Sequence, residues 1–346
     1  LFVDGVTERH YLERTESASL FGQLTWRAAP GVELAGGLRY TAVDKRGALT
    51  RRYSGFVPGA LDTPLAFELD ESFLDPSAQL QWEVASRWRA FASYARGSKG
   101  GGSNGPTAGD TIETYTYGPE RSRSVEAGVK GAVERGTLSL VVFDTRYRDL
   151  QKSVLDNATG GFVTRNAAAA RSRGVELEAA FVPVPTVRTS LSLARLDGRF
   201  TNFPGARCPY GVAAEGAGGT CNLRDYPLTS APEWGAAATA GFDRPITPNL
   251  RLIGDLAVLY RSNTWYQPSY HPLERQSAFT KVDLRVGVAA ADDAWSATLL
   301  VRNATDATTS SLVFETLPFG IDRERDRVHV PDRPRTWTLQ VRRTFR

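Results

Sequence analysis

The sequence has no methionine, two cysteines and three histidines in 346 residues. The chain begins Leu1-Phe2-Val3, whereas a translation product begins with Met, so the expectation is a fragment or a trimmed chain with no signal peptide to read. His10, His271 and His329 are far apart and show no metal-ligand spacing. No apolar run approaches the roughly 18 residues of a membrane helix, and no helical period survives over a useful length. Gly97 to Gly105 is Gly-rich but lacks the Gly-Lys-Ser/Thr ending of a phosphate loop, and no Gly-x-Ser-x-Gly occurs. The net charge is only +4 and the basic residues are scattered, so nucleic acid is not an expected partner. Apolar residues make up 41%, which fits a barrel with a wet inner face and a soluble protein nearly as well.

What is present is a period of two. Trp337, Leu339, Val341 and Phe345 take odd positions, and Thr336, Thr338, Gln340, Arg342 and Thr344 take even ones. That is a strand with one apolar and one polar face, Arg343 being the single break. Leu34, Leu38 and Tyr40 repeat the pattern, as do Ala78, Leu80, Trp82 and Val84, then Val125, Ala127 and Val129, then Val175, Leu177, Ala179 and Phe181. From Leu138 to Phe143 the apolar residues crowd together and no face can be assigned.

About 13 such strands of roughly 10 residues or more are expected, longer than soluble strands usually are. The gaps alternate. Arg27–Gly31, Ala85–Arg87, Val133–Gly136, Pro183–Pro185, Arg244–Pro248 and Ala291–Asp293 are short. Asp44–Glu71, Arg96–Arg121, Asp197–Glu233, Ser262–Ser277 and the stretch up to Pro334 are longer and read as loops. A shorter loop lies around Asp156–Gly161, and Leu1–Glu13 is left open as an earlier strand or loop. Strands of this length with alternating short and long connections indicate an all-β antiparallel transmembrane barrel with short periplasmic turns and long extracellular loops. A soluble sandwich would have turns every 8 to 12 residues without that alternation.

A final strand ending on an aromatic resembles the last strand of bacterial outer-membrane barrels, in which that residue, here Phe345, belongs to the assembly signal; here Arg346 follows it. Further phrases resemble the TonB-dependent receptors in order. These are Leu20-Phe-Gly-Gln-Leu-Thr-Trp26 with Gly36-Gly-Leu-Arg-Tyr-Thr41, Ala92-Ser-Tyr-Ala-Arg-Gly-Ser-Lys-Gly-Gly101, and Pro119-Glu-Arg-Ser-Arg-Ser-Val-Glu-Ala-Gly-Val-Lys130. Tyr147-Arg-Asp-Leu-Gln151, Asn166-Ala, Ser172-Arg-Gly-Val-Glu-Leu-Glu178 and Val301-Arg-Asn-Ala-Thr-Asp306 continue the series. The family barrel has about 22 strands around an N-terminal plug. The resemblance implies that residues 1–346 are its C-terminal barrel portion, without the plug. It further implies an outer-membrane location and uptake of a scarce solute such as a siderophore-iron complex, cobalamin or a saccharide. The implied partners are the TonB complex, through the plug, the outer-membrane assembly machinery, the lipid bilayer and a small-molecule ligand at the extracellular loops. No cofactor is implied. A passive porin, or a surface adhesin or enzyme on a barrel body, is the alternative.

Glu176 and Glu178 could be a carboxylate pair for acid/base work, but other strands carry the same charged face, so two lumen-facing charges is the favoured reading. No catalytic residue is expected. The better candidates are loop aromatics that could capture a solute: Tyr115 and Tyr117, Tyr210, and the group Trp265, Tyr266, Tyr270 and His271. An interfacial aromatic girdle is the competing explanation, above all for Trp265 and Tyr266, which directly follow a strand. Cys208 and Cys221 lie in one floppy Gly-rich segment, and the expectation is a disulfide formed outside the cytoplasm, with free thiols as the alternative.

Overall fold

The computed structural model describes residues 5–55, 64–105, 115–155, 162–215, 220–315 and 327–345. The loop around Asp156–Gly161, the glycines Gly216, Gly218 and Gly219, and Arg346 lie outside them. The described chain forms one 13-stranded antiparallel sheet with four small two-stranded ribbons beside it. In chain order the strands are β1 (Gly5–Ala29), β2 (Val32–Gly55), β3 (Leu65–Ala85), β4 (Trp88–Lys99), β5 (Glu120–Val133), β6 (Gly136–Leu155) and β7 (Phe162–Val184). There follow β8 (Val187–Asn202), β9 (Trp234–Thr247), β10 (Leu250–Arg261), β11 (Phe279–Ala290), β12 (Trp295–Arg302) and β13 (Thr336–Arg343). Each pairs with its neighbour in sequence, a pure meander. Among the described residues, β1 and β13 are paired on one side only.

Side-chain alternation decides which face is which. Trp26 lies opposite Leu34, Leu34 opposite Leu80, and Leu80 opposite Ala92, so their side chains share one face across four strands. That face is exposed, and Trp337, Leu339 and Val341 on β13 are 65%, 74% and 71% accessible. An apolar face left open over so many strands is what lipid, not water, would cover. The opposite face is polar. Gln79 of β3 and Thr239 of β9 line one cavity of about 880 Å³ together with Arg89, Lys130 and Glu178. The polar face is therefore the concave one. Hydroxyl pairs bridge its strands, as in Ser190–Thr239 at 2.6 Å and Ser124–Thr145 at 2.9 Å.

The crowded run on β6 resolves by register. Leu138, Leu140 and Val142 lie opposite Ala179, Leu177 and Val175 and join the apolar face. Phe143 points inward over Gly174, where any Cβ would meet its ring. Gly131 makes the same kind of room for Trp88 on the apolar face.

At one end the connections are tight. Gly31, in the turn between β1 and β2, has φ +74°, a conformation that glycine adopts without steric cost. Register shifts beside the turns, at Arg27/Ala29, Glu83/Ala85 and Pro245/Thr247, add twist where strands reverse. At the other end the expected loop boundaries need correction. Asp44–Glu71 reads as a loop from its Gly, Thr and charge content, but β2 runs to Gly55 and β3 starts at Leu65. Ladder pairing continues through Lys45↔Leu69 to Leu49↔Leu65, which outweighs local composition. Likewise Leu1–Glu13, left open from sequence, is strand from Gly5 on. β1 spans 25 residues and β13 only 8, so the rim at the loop end is uneven.

Candidate functional site

The described parts of three long connections fold over the concave face of the sheet. Phe200, Ala170 and Tyr147 lie opposite one another on the inner side of β6–β8. Phe203, Ala206, Leu223 and Tyr270 pack onto Phe200 and Ala170, with Tyr226, Leu228 and Trp265 around them. Two loops, the cysteine loop after β8 and the loop between β10 and β11, thus share one apolar nucleus. On the inner side of the β1–β3 extension, Tyr115 packs with Leu49 and Phe67, its ring edge-on to Phe67 at 5.5 Å.

Polar joints fix these loops to the strands. Gly118 N–H donates to Asn166 Oδ1 at 2.5 Å, and Asn166 Nδ2 donates to the carbonyls of Gly118 and Asp149, each at 2.8 Å. Gln151 Nε2 donates to Gly100 O at 2.9 Å and Gly118 O at 3.1 Å. Asp149, at φ 55°, marks the register shift that aims Gln151 at that loop. At the end of β12, buried Asn303 takes φ 51°; its Oδ1 accepts from Ala307 N–H at 2.9 Å and its N–H donates to Asp283 Oδ1 at 2.8 Å. Asp306 then accepts from Arg335 N–H at 3.1 Å, at the entry to β13. The phrases around Gln151, Asn166 and Asn303 are joints between loop and strand, which accounts for their polar character inside an apolar pattern.

The candidate aromatics separate by position. Tyr115 is fully buried. Tyr117 is half-buried in the small ribbon it forms with Gly102, and burial pushes its phenol pKa up. Tyr270 is buried, stacks near Tyr226 at 5.0 Å and Trp265 at 5.8 Å, and donates to Pro227 O at 2.6 Å; desolvation raises its pKa strongly. Tyr266 donates its hydroxyl to Ser310 O and its pKa is raised by burial. Tyr210 is the exposed member at 55%, edge-on to the ring of His271 at 4.4 Å, with its N–H on Ser269 O at 2.7 Å. His271 itself is buried and its Nδ1 caps a one-turn helix by accepting from Leu273 N–H at 3.1 Å. The structure therefore gathers Tyr210, Trp265, Tyr266, Tyr270 and His271 into one layer, and sets Tyr115 and Tyr117 apart on the other loop.

Beneath that layer lies an ion pair the sequence did not signal. Arg327 Nε donates to Glu274 Oε1 at 2.6 Å, with both side chains almost wholly buried, and Ser269 Oγ donates to the other carboxylate oxygen. It ties the β10–β11 loop to the Ser310–Glu315 and Arg327–Pro331 ribbon. Cys208 and Cys221 are bonded, with Cα atoms 4.8 Å apart, next to the Ala206–Cys221 ribbon pair. Glu176 and Glu178 face the concave side opposite Val141 and Ser139. Among the described residues, no group of His, Cys, Asp and Glu is arranged to hold a metal.

The TonB-dependent receptor-like β-barrel family matches residues 4–304. The chain belongs to that family. Its barrels reside in the outer membrane, and they are receptors rather than enzymes. The fold agrees with solved structures. The ferric yersiniabactin uptake receptor FyuA from Yersinia pestis superposes with a TM-score of 0.77 at 20% identity, over 98% of this chain and 47% of FyuA. The siderophore receptor PiuA from Acinetobacter baumannii gives 0.71 at 14% identity, over 96% and 43%. The copper transporter OprC gives 0.61 at 15%, over 94% and 47%. The chain thus spans about half the length of the structures it matches. No curated protein sequence matches significantly. In a TonB-dependent receptor the tight turns face the periplasm and the folded-over loops form the outer mouth.

Proposed function

We propose that this barrel takes up a scarce solute across the outer membrane with energy delivered by the TonB complex. The observation that carries the reading is the mouth. Three long connections fold inward over the concave face and are pinned there, which suits capture of a ligand above a gated lumen and does not suit an open porin. The captured molecule would meet Tyr210 first, with Tyr117 across the mouth. Aromatic surface of that kind suits a ligand with flat or ring-containing parts, a description that siderophore complexes, cobalamin and saccharides all meet. The ferric yersiniabactin receptor FyuA, the siderophore receptor PiuA and the copper transporter OprC share this fold.

The contacts with TonB belong, on this proposal, to a plug domain encoded outside residues 1–346. The unpaired sides of β1 and β13 would be completed by the remaining barrel strands, since lipid tolerates no open sheet edge. Phe345, 83% exposed beside β13, would be read by the assembly machinery. The test is solute uptake by cells expressing the full-length gene product, with and without TonB. Loss of uptake without TonB supports the reading, and equal uptake in both strains favours a passive channel.

A further inference from the structure

The outward face carries a feature that solute uptake does not use. At the top of β4–β8, Arg96 stands opposite Arg123, Arg123 opposite Arg146, Arg146 opposite Arg171, and Arg171 opposite Arg199. No register shift separates these pairs from the apolar pairs below them. The parity that turns Tyr94, Val125, Val142 and Val175 outward therefore turns this arginine row outward too. One step further up, Arg121 lies opposite Arg148.

Like charges placed directly opposite each other destabilise a sheet. At a strand spacing of about 4.8 Å, the row sets its guanidinium groups along roughly 19 Å. Only part of the charge is answered. Asp144 pairs with Arg171 and, at 3.5 Å, with Arg146; Asp197 pairs with Arg173 at 2.9 Å and Arg199 at 2.7 Å. Arg96, Arg121, Arg123 and Arg148 are exposed and form no ion pair among the described residues. They line a groove of about 190 Å³ with Asp149, which makes no ion pair either.

The height of the row identifies its counterpart. Arg123 is ten residues up β5 from Val133 at the periplasmic turn. At about 3.3 Å per residue and a tilt near 40°, that is about 25 Å, the height of the apolar band of such barrels. The row sits where the outer headgroups begin. Below it the apolar face offers Tyr94, Val125 and Val142 to acyl chains, and beside it Arg195 lies 5.5 Å from the centre of the Trp234 ring.

We propose that this ledge binds the phosphate groups of a glycolipid headgroup in the outer leaflet. Guanidinium forks bind phosphate bidentately, and the span accommodates two phosphates on one headgroup. The site rests on the outer-membrane placement and not on which solute enters the mouth. The test uses the full-length gene product, purified, stripped of lipid by detergent exchange and titrated with bis-phosphorylated lipid A under native mass spectrometry. Wild type is expected to bind at least tenfold more tightly than Arg96→Gln/Arg123→Gln, which spares the Asp144 and Asp197 pairs. Dephosphorylated lipid A is expected to bind wild type no better than the bis-phosphorylated lipid binds the variant. Equal binding by wild type and variant, or by lipid A with and without its phosphates, overturns the proposal. Full displacement by millimolar inorganic phosphate also overturns it, because an anion alone would then suffice. Should the variant lose the heat-modifiable mobility of a folded barrel, wild type decides through salt. Affinity that falls several-fold as salt rises supports the ledge, and salt-independent affinity contradicts it.

Discussion

Replacing Glu274 by Gln is the sharpest perturbation the mouth offers. The substitution keeps shape and removes the buried carboxylate charge that Arg327 Nε meets at 2.6 Å. The side chains of the pair are 3% and 1% accessible, so water screens little of the loss. Breaking such a pair costs about 3–5 kcal/mol. The cost falls on the attachment of the loop, because neither residue lies in the 13-stranded ladder. It corresponds to roughly a 150- to 5,000-fold rise in the opening equilibrium of the β10–β11 loop. The reporter is the amide of Tyr266, which donates to Glu274 O at 2.9 Å, followed by hydrogen exchange in outer-membrane vesicles. Its protection should fall by that factor while amides of β10 and β11 stay protected. Glu274→Leu/Arg327→Leu should recover part of the protection, since it removes both buried charges of the pair together. Tyr266 exchange within about threefold of wild type in Glu274→Gln would refute the assignment of the ion pair as the clamp.

Reducing the Cys208–Cys221 bond should speed proteolysis between Arg207 and Arg224 and leave the heat-modifiable mobility of the barrel unchanged, as gel electrophoresis would show. Asn303→Ala removes the side chain that accepts from Ala307 N–H and donates to Ala307 O, and should cost about 1–3 kcal/mol, seen as a lower thermal midpoint. The hydrogen bond from Thr309 and the Lys281 ammonium at 2.9 Å hold the Asp332 carboxyl below the usual carboxylate range. A depressed folded pKa stabilises above the unfolded value, near 3.9, and that contribution is lost as pH falls through the folded pKa. Exchange in the Arg327–Pro331 ribbon should therefore quicken only below about pH 4. Tyr210→Ala should weaken solute binding without changing barrel abundance, measured by binding to whole cells.

The strands were legible because a barrel wall repeats one rule, apolar out and polar in, and Trp337-Thr-Leu-Gln-Val341 states it without interruption. The turns were legible from Pro and Gly, as at Pro30-Gly31. The strand extensions were not, because above the lipid band no face must be apolar; Lys45, Arg46 and Gly47 are paired strand residues with loop composition. The mouth was half legible. Sequence could find Tyr210, Trp265 and Tyr270, but whether a ring packs or faces solvent depends on partners such as Phe200 and Pro227, tens of residues away. The Glu274–Arg327 pair spans 53 residues and leaves no local trace. The arginine row emerges only once register aligns one residue from each of five successive strands.

All of this rests on one sheet with one face in lipid and the other toward the lumen. Single cysteines at Thr338, Leu339, Gln340 and Val341 test it most directly, in isolated outer membranes, where the bonded native pair stays silent toward maleimides. A water-soluble maleimide should label positions 338 and 340, and 339 and 341 should react only with a lipid-soluble one. Water-soluble labelling of all four positions, or of 339 and 341 alone, would contradict the account.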